Sequence, residues 1–379
     1  MMKKVGIITT FRQPNWGSVL QAFALQKTIE KHGYDVEVID YQYPNEFHWE
    51  RGKSWGRPPK RCLKNLLHQI KTNILCSLGF RAWPMMHLLN TFIKQEMKVS
   101  APYHSYRHLH ENPPYYDVYI SGSDQIWNPN TMYGDMSYMF DFATSGSIKI
   151  SYASSFSCLT IPDDYKKEYC SLLKTYKAIS VRENNGKKII QDLIGQDAKV
   201  VLDPTLLLNK NDWKQVAAGA KKTKLPEQYI LCYMLAYTFD ADEPMGKLLS
   251  NIQKKYKMPV IALRQMPTPF KGDEYKLPKS YNKGIREFLY LIENASIIVS
   301  SSFHGTAFAL NFGKPLVALA ANNEDDRLAS LLDNLELSNL LILDDSDYAN
   351  IDPFYDVVEE QKQLQILRDG SLKFLSDNI

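Results

Sequence analysis

Short apolar runs that end on polar residues recur along this chain, and most are followed by a segment of helical spacing. Val5 to Thr10 (VGIITT) predicts a buried first strand, and a polar loop, Phe11 to Ser18, follows it. Val19, Leu20, Phe23, Ala24, Leu25 and Ile29 share one helical face. Gly33 then ends the helix, and Tyr34 to Tyr41 alternates like a strand. This β-loop-α-β opening is how a doubly wound domain starts. The rhythm breaks over residues 51–110 and returns with strands at Asp117–Ile120, Lys149–Phe156 and Ala178–Glu183 and a helix from about Asp163 to Tyr176. Further strands are expected within Tyr229–Leu235 and Met258–Leu263. Phe270 to Lys283 reads as a loop and Arg286 to Ile292 as a helix. Ile297 to Val299 then forms an apolar β-branched run, the composition of a buried parallel strand. A helical pattern runs from Thr306, stops at Gly313 and Pro315, and leads into a strand from Pro315 to Leu319.

Polar residues gather where these strands end, and ligands of open α/β sheets bind at strand carboxyl ends. Ser300, Ser301, Ser302, Phe303, His304 and Gly305 follow the central strand. Helix-start N–H groups there, with Gly305 permitting close approach, suit a phosphate or carboxylate. The competing reading of His304 is a buried histidine capping a helix. Asn15, Trp16, Gly17 and Ser18 form either a ligand loop or a cap made by Asn15 or Ser18. No GxGxxG is present there, so dinucleotide binding has no support. Ser123, Asp124, Gln125 and Trp127 converge after Ile120, where Asp124 is either a base or an Asx-turn residue. Arg182 ends its strand with a fork suited to carboxylate or phosphate.

The chain of 379 residues, 44% hydrophobic and 23% charged, is that of a folded protein long enough for two domains. A net charge of +3 implies no polyanionic partner by itself, and no nucleic-acid-binding motif is present. Charge is uneven, however: residues 51–110 carry eleven basic side chains against one acid, Glu96. Leu63, Leu66, Leu67, Ile70, Ile74 and Leu75 make an apolar stripe there, with Trp55, Trp83, Met85, Met86 and Phe92 as anchors of exposed type. Such a basic amphipathic segment suits peripheral contact with an anionic membrane; the alternative is a helical hairpin with solvated lysines. No window is apolar enough for a transmembrane helix, and the apolar run in the first residues is too short for a signal peptide's core. Five scattered cysteines with no metal-ligand spacing suit a cytoplasmic protein with reduced thiols. No metal is called for.

Six segments in order carry a family resemblance: SGSDQIWNP (121–129), SYASSF (151–156), ISVRE (179–183), VLDPTLLL (201–208), REFLYLI (286–292) and SSFHGTAFAL (301–310). Together with Asn15 to Ala22 they make the chain resemble the polysaccharide pyruvyl transferase family. The resemblance implies a GT-B-like α/β fold, two Rossmann-like domains facing across a cleft. The expected extents are 1–208 for the N-terminal domain (with a basic helical insertion at about 51–110), 209–345 for the C-terminal domain and 346–379 for a helical segment. It implies phosphoenolpyruvate as co-substrate, with no further cofactor, and a sugar diol of a glycan or lipid-linked oligosaccharide as acceptor. Matching positions make His304 the candidate acid/base and Arg182 the grip on donor phosphate or carboxylate. Ser302, Gly305, Thr306, Arg264, Asn15, Gly17 and Ser18 are the further donor candidates. Ser123, Asp124, Gln125 and Trp127 are the acceptor candidates. The chain departs from the family at Ser302, where many members carry arginine, and at Ser301, where a subgroup carries aspartate. Arg264 or Arg327 is then the candidate for the donor's missing cation. Alternatives are a GT-B glycosyltransferase using a nucleotide sugar and a non-catalytic glycan-binding relative.

Overall fold

The computed structural model describes residues 2–54, 84–144, 146–235, 241–320, 326–343, 348 and 350–379. The first half forms a parallel sheet in the order β2-β1-β3-β4, from β1 (Lys4–Ile8), β2 (Asp35–Val38), β3 (Val118–Ser121) and β4 (Ile148–Ser151). Parallel bridges Ile150–Ala178 and Ser154–Val181 attach the pair β5 (Ser180–Val181) and β6 (Lys199–Val200) to its far side. The second half forms a parallel sheet in the order β11-β10-β9-β7-β8. Its strands are β7 (Ile230–Tyr233), β8 (Val260–Ala262), β9 (Ile297–Ser300), β10 (Leu316–Ala320) and β11 (Leu341–Leu343). Residues of β3, β7, β9 and β10 are buried throughout, which is why these strands read as continuous apolar runs.

Both sheets reverse their winding direction once. The chain leaves β1 to one side for β2 and to the other for β3, and it leaves β7 likewise for β8 and β9. Each reversal opens a crevice at strand carboxyl ends. The crevices face one another, so the molecule is the α/β, GT-B-like pair of Rossmann-like sheets that was expected.

Aromatic packing joins the halves. Trp16, in the helix Trp16–Lys31, stacks on Phe288 with centroids 5.2 Å apart, and its indole N–H donates to the Lys283 carbonyl (3.0 Å). Trp213 lies between Phe23 (6.0 Å) and Phe308 (5.0 Å). The last helix, Val357–Asn378, returns across the first sheet. There Arg368 Nε donates to the Leu206 carbonyl (2.7 Å), and Ser371 Oγ accepts from the Leu202 N–H (3.0 Å). Lys177 donates to the Asn378 carbonyl at its C-terminal end (2.9 Å), where the helix dipole favours a cation, and Lys199 to the Gly370 carbonyl farther back along the helix (3.2 Å).

The membrane-contact reading rests mainly on residues 55–83, Trp55 and Trp83 among them, which lie outside the described residues. Phe92 differs from its expected exposure: in the helix Pro84–Glu96 it is 4% exposed and packs on Phe23. Among the described residues no helix is long and apolar enough to cross a membrane.

Candidate active site

The serine run after β9 is a helix start. Ser302 caps the helix Phe303–Phe312, its hydroxyl accepting from the Gly305 N–H at 3.3 Å, so the helix begins three residues before the apolar pattern at Thr306. His304 therefore sits in the first helical turn with its backbone direction fixed. A Cβ on Gly305 would lie 2.3 Å from Ser300 Oγ and 2.7 Å from Tyr233 Cδ1. The glycine thus serves close packing of the helix on β7 and β9, not the approach of a ligand as expected. Thr306 is fully buried, its N–H donating to the Ser302 carbonyl (3.0 Å).

The other sheet supplies the floor beneath His304. Asn15 caps the helix Trp16–Lys31 by accepting from the Gly17 N–H (3.0 Å), and it also lines the cleft pocket beside His304. The cap expected of Asn15 is therefore present, and the same side chain borders the cleft. Gly17 lies directly against the imidazole: an added Cβ would stand 2.2 Å from His304 Cγ and Nδ1. Ser18 is not available to a donor. It is fully buried, its hydroxyl donating to the Thr10 carbonyl (2.5 Å).

Asp203 ties these parts together. Its Oδ1 accepts from the Thr205 N–H (3.0 Å) and hydroxyl (2.7 Å), and its Oδ2 from Ser123 Oγ (3.1 Å) and Arg182 Nη1 (3.0 Å). His304 Nε2 stands 3.7 Å from the same Oδ2, an ion-pair distance longer than a hydrogen bond. Burial alone pushes the Asp203 carboxyl up. The charges of His304 and Arg182 and the hydrogen bonds outweigh it, holding the group well below the usual carboxylate range. In the sequence Asp203 stands only within the segment 201–208 that contributes to the family resemblance, with no role of its own. Its partners come from residues 123, 182, 205 and 304, and no local spacing announces such a convergence.

Arg182 differs from the grip expected of it. Its side chain is 1% exposed, bound to Asp203, 3.7 Å from Asp124 Oδ1 and stacked 4.3 Å from the Phe303 ring. It underlies the pocket and fixes Asp203, while its Nε and Nη2 keep donor capacity that no hydrogen bond with the described residues uses. Glu183, beside it, accepts from the Phe156 N–H (2.7 Å) and Ser157 N–H (3.2 Å), and burial pushes its carboxyl up to about 7 despite Arg182.

The 121–129 loop divides between cleft and core. Asp124 lines the pocket at φ 73°, a backbone conformation uncommon for a side-chain-bearing residue. Gln125 reaches across the cleft, its carboxamide oxygen accepting from the Arg327 guanidinium. Ser123 is fully buried on Asp203 and Ala153. Trp127 is a correction to the acceptor set: it is fully buried, its indole N–H donating to the Tyr138 carbonyl (3.3 Å), its ring packed on Phe156 and Tyr176. A ring enclosed in this way supports the loop from below and offers no face to a sugar.

The pocket so formed is bounded by Asn15, Asp124, Leu235, Ser301, Ser302 and His304, with Arg327 as the cation on its wall. Arg264 is elsewhere. It donates to the Pro14 carbonyl, lies 5.4 Å over the Trp16 ring and lines a second cavity that shares Leu235 with the first. The imidazole, Asp124 and Arg327 thus meet at a small recess of about 20 Å³ that adjoins a larger cavity at Leu235.

A family model described as polysaccharide pyruvyl transferase matches residues 15–323. No curated protein sequence matches the chain. Among solved structures, the chain is similar to UDP-GlcNAc 2-epimerase from Methanocaldococcus jannaschii, with 13% identity over 97% of this chain and 93% of that one and a TM-score of 0.45. It is also similar to S. aureus MnaA in a co-structure with UDP (11% identity, 100% and 98% covered, TM-score 0.49).

Proposed function

The chain belongs to the polysaccharide pyruvyl transferase family, and from that membership we propose that it transfers the enolpyruvyl group of phosphoenolpyruvate onto a sugar diol as a cyclic ketal, releasing phosphate. The acceptor in this reading is a galactose-type residue of a lipid-linked capsular or exopolysaccharide precursor. The uneven basic charge of residues 51–110 supports docking at an anionic membrane face.

The observation that carries the reading is His304, presented at two facing strand ends beside Arg327 and backed by the buried Asp203–Arg182 pair. Phosphoenolpyruvate carries about three negative charges near neutrality, so its site needs a cation on the wall and helix-start dipoles. Arg327 and the first turn of the His304 helix provide these. Protonation of the donor's methylene carbon makes the adjacent carbon cationic, and one sugar hydroxyl attacks it, losing its proton. The second hydroxyl then displaces phosphate, which leaves with the remaining proton. One positioned acid/base serves the proton transfers, and histidine suits the role near neutral pH. The Asp203 carboxylate stands 3.7 Å from the imidazole Nε2, and Gly17 leaves the ring its place. Asp124, on the opposite wall, accepts from acceptor hydroxyls.

The test is phosphate release from phosphoenolpyruvate in the presence of a galactoside diol, for wild type and His304→Ala. Loss of release in a variant with unchanged circular dichroism supports the reading. Near-normal turnover in the variant, or turnover with a nucleotide sugar and none with phosphoenolpyruvate, overturns it.

A further inference from the structure

The cation on the wall of the His304 pocket is held from the opposite half of the molecule. Arg327 opens the helix Arg327–Asn334, which lies between β10 and β11, and it is 7% exposed. Gln125 comes from the loop that follows β3 of the first sheet. A guanidinium has only donors, so the carboxamide oxygen of Gln125 faces it, accepting from Nη1 and from Nη2, the latter at 3.1 Å. Gln125 is not among the residues that bound the pocket, whereas its neighbour Asp124 is.

A second set of contacts fixes the same helix start. The helix Asn184–Ile194 has Glu183 at its N-cap, and the Glu183 side chain makes no cap there. Its first two N–H groups find acceptors in the other half instead. Asn184 N–H donates to Ser330 Oγ (2.9 Å) and Asn185 N–H to Asp326 Oδ2 (2.8 Å), while the Ser330 hydroxyl donates to the same Asp326 oxygen (3.1 Å). Asp326 and Ser330 flank Arg327, so Gln125, Asn184 and Asn185 of the first half together set where the guanidinium stands. The two arginines of the cleft are thus held in different ways. Arg182 is bound by the Asp203 carboxylate, which offsets its charge. The Gln125 carboxamide orients Arg327 and adds no negative charge.

We propose that Gln125 is a positioning residue for the donor: it aims the Arg327 guanidinium at the donor's anionic group and makes no contact with the acceptor. This rests on the pyruvyl-transfer reading for the identity of the anion only. A neutral holder suits the task, because a carboxylate at the same place would compete with the donor for the same guanidinium.

Calorimetric titration of phosphoenolpyruvate, UDP-galactose and the neutral methyl galactoside compares wild type, Gln125→Ala, Gln125→Glu, Arg327→Ala and the double variant Gln125→Ala/Arg327→Ala. The expected result is phosphoenolpyruvate binding weakened about tenfold or more by Gln125→Ala, and at least as far by Gln125→Glu, with galactoside binding unchanged. The double variant should bind no more weakly than Arg327→Ala alone, since Gln125 acts through Arg327. Donor binding unchanged in Gln125→Ala, losses that add in the double variant, or weakened galactoside binding with donor binding intact overturns the proposal. The same pattern with UDP-galactose, and no binding of phosphoenolpyruvate, supports the role of Gln125 and removes the pyruvyl-transfer reading instead. Binding of neither anion to wild type overturns both.

Discussion

Gly17 and His304 belong to opposite sheets and touch: the space that a Cβ on Gly17 would fill is occupied by the imidazole, 2.2 Å from Cγ and Nδ1. The cleft is closed at this point by a missing side chain. Gly17→Ala is expected to displace the ring and to cost about 1–3 kcal/mol of stability through overpacking. Phosphate release should fall much further than the shift in melting temperature explains. An alanine variant with wild-type kcat would show that His304 does not need its observed position.

His304→Gln keeps the volume of the ring approximately and removes the proton carrier. The expected outcome is a drop of about 10²–10⁴ in kcat, the usual contribution of a positioned acid/base, with little change in melting temperature. Stopped-flow or steady-state phosphate release measures the first quantity and a thermal scan the second.

Asp203→Asn removes the charge shared by Arg182 and His304 while keeping the shape. Leaving the Arg182 guanidinium buried beside a neutral partner is expected to cost about 3–5 kcal/mol. The pH–rate profile should also change, because the carboxylate 3.7 Å from His304 Nε2 is replaced by a neutral amide. A profile identical to wild type would reduce Asp203 to a structural role. The carboxyl of Asp203 is held below its ordinary value, so its own stabilising contribution is full above that value and is lost as pH falls below it.

Trp127→Phe separates core from cleft. Since Trp127 is fully buried, the variant should lose about 1–3 kcal/mol in chemical denaturation and leave KM for the acceptor unchanged. A raised KM with unchanged stability would return Trp127 to the acceptor wall.

Glu183 and Glu360 each have carboxyls raised to about 7, in both cases by burial first. A folded-state value above the unfolded one means that the native protein binds more protons between about 4.5 and 7. Stability from these groups is therefore present at low pH and lost as pH rises through that window. Glu183→Gln should flatten the decline by its share and leave the variant relatively more stable at pH 8. Urea midpoints at pH 5, 6, 7 and 8 provide the check, and an unaltered slope would contradict it.

Local chemistry decided much of this protein before any folding partner is considered. Apolar β-branched runs such as Ile297–Val299 specify strands buried on both faces, and Gly33 and Gly313 end helices through backbone freedom alone. The alternation of such runs with helical spacing leads to parallel sheets, and the polar residues at their ends lead to His304, Asn15 and Asp124. Other assignments needed the third dimension. Phe92 and Trp127 have the composition of binding surface, yet only packing against Phe23 and against Phe156 and Tyr176 puts them inside. Arg182 has the chemistry of an anion grip, and only its burial on Asp203 turns it into support for the site. Asp203 with Arg182, Ser123 and His304, and Gly17 under the imidazole, are relations between residues tens to hundreds of positions apart. Spacing along a chain encodes contacts within one helix or strand, whereas long-range contacts depend on how sheets and helices pack, and that packing is where this site is made.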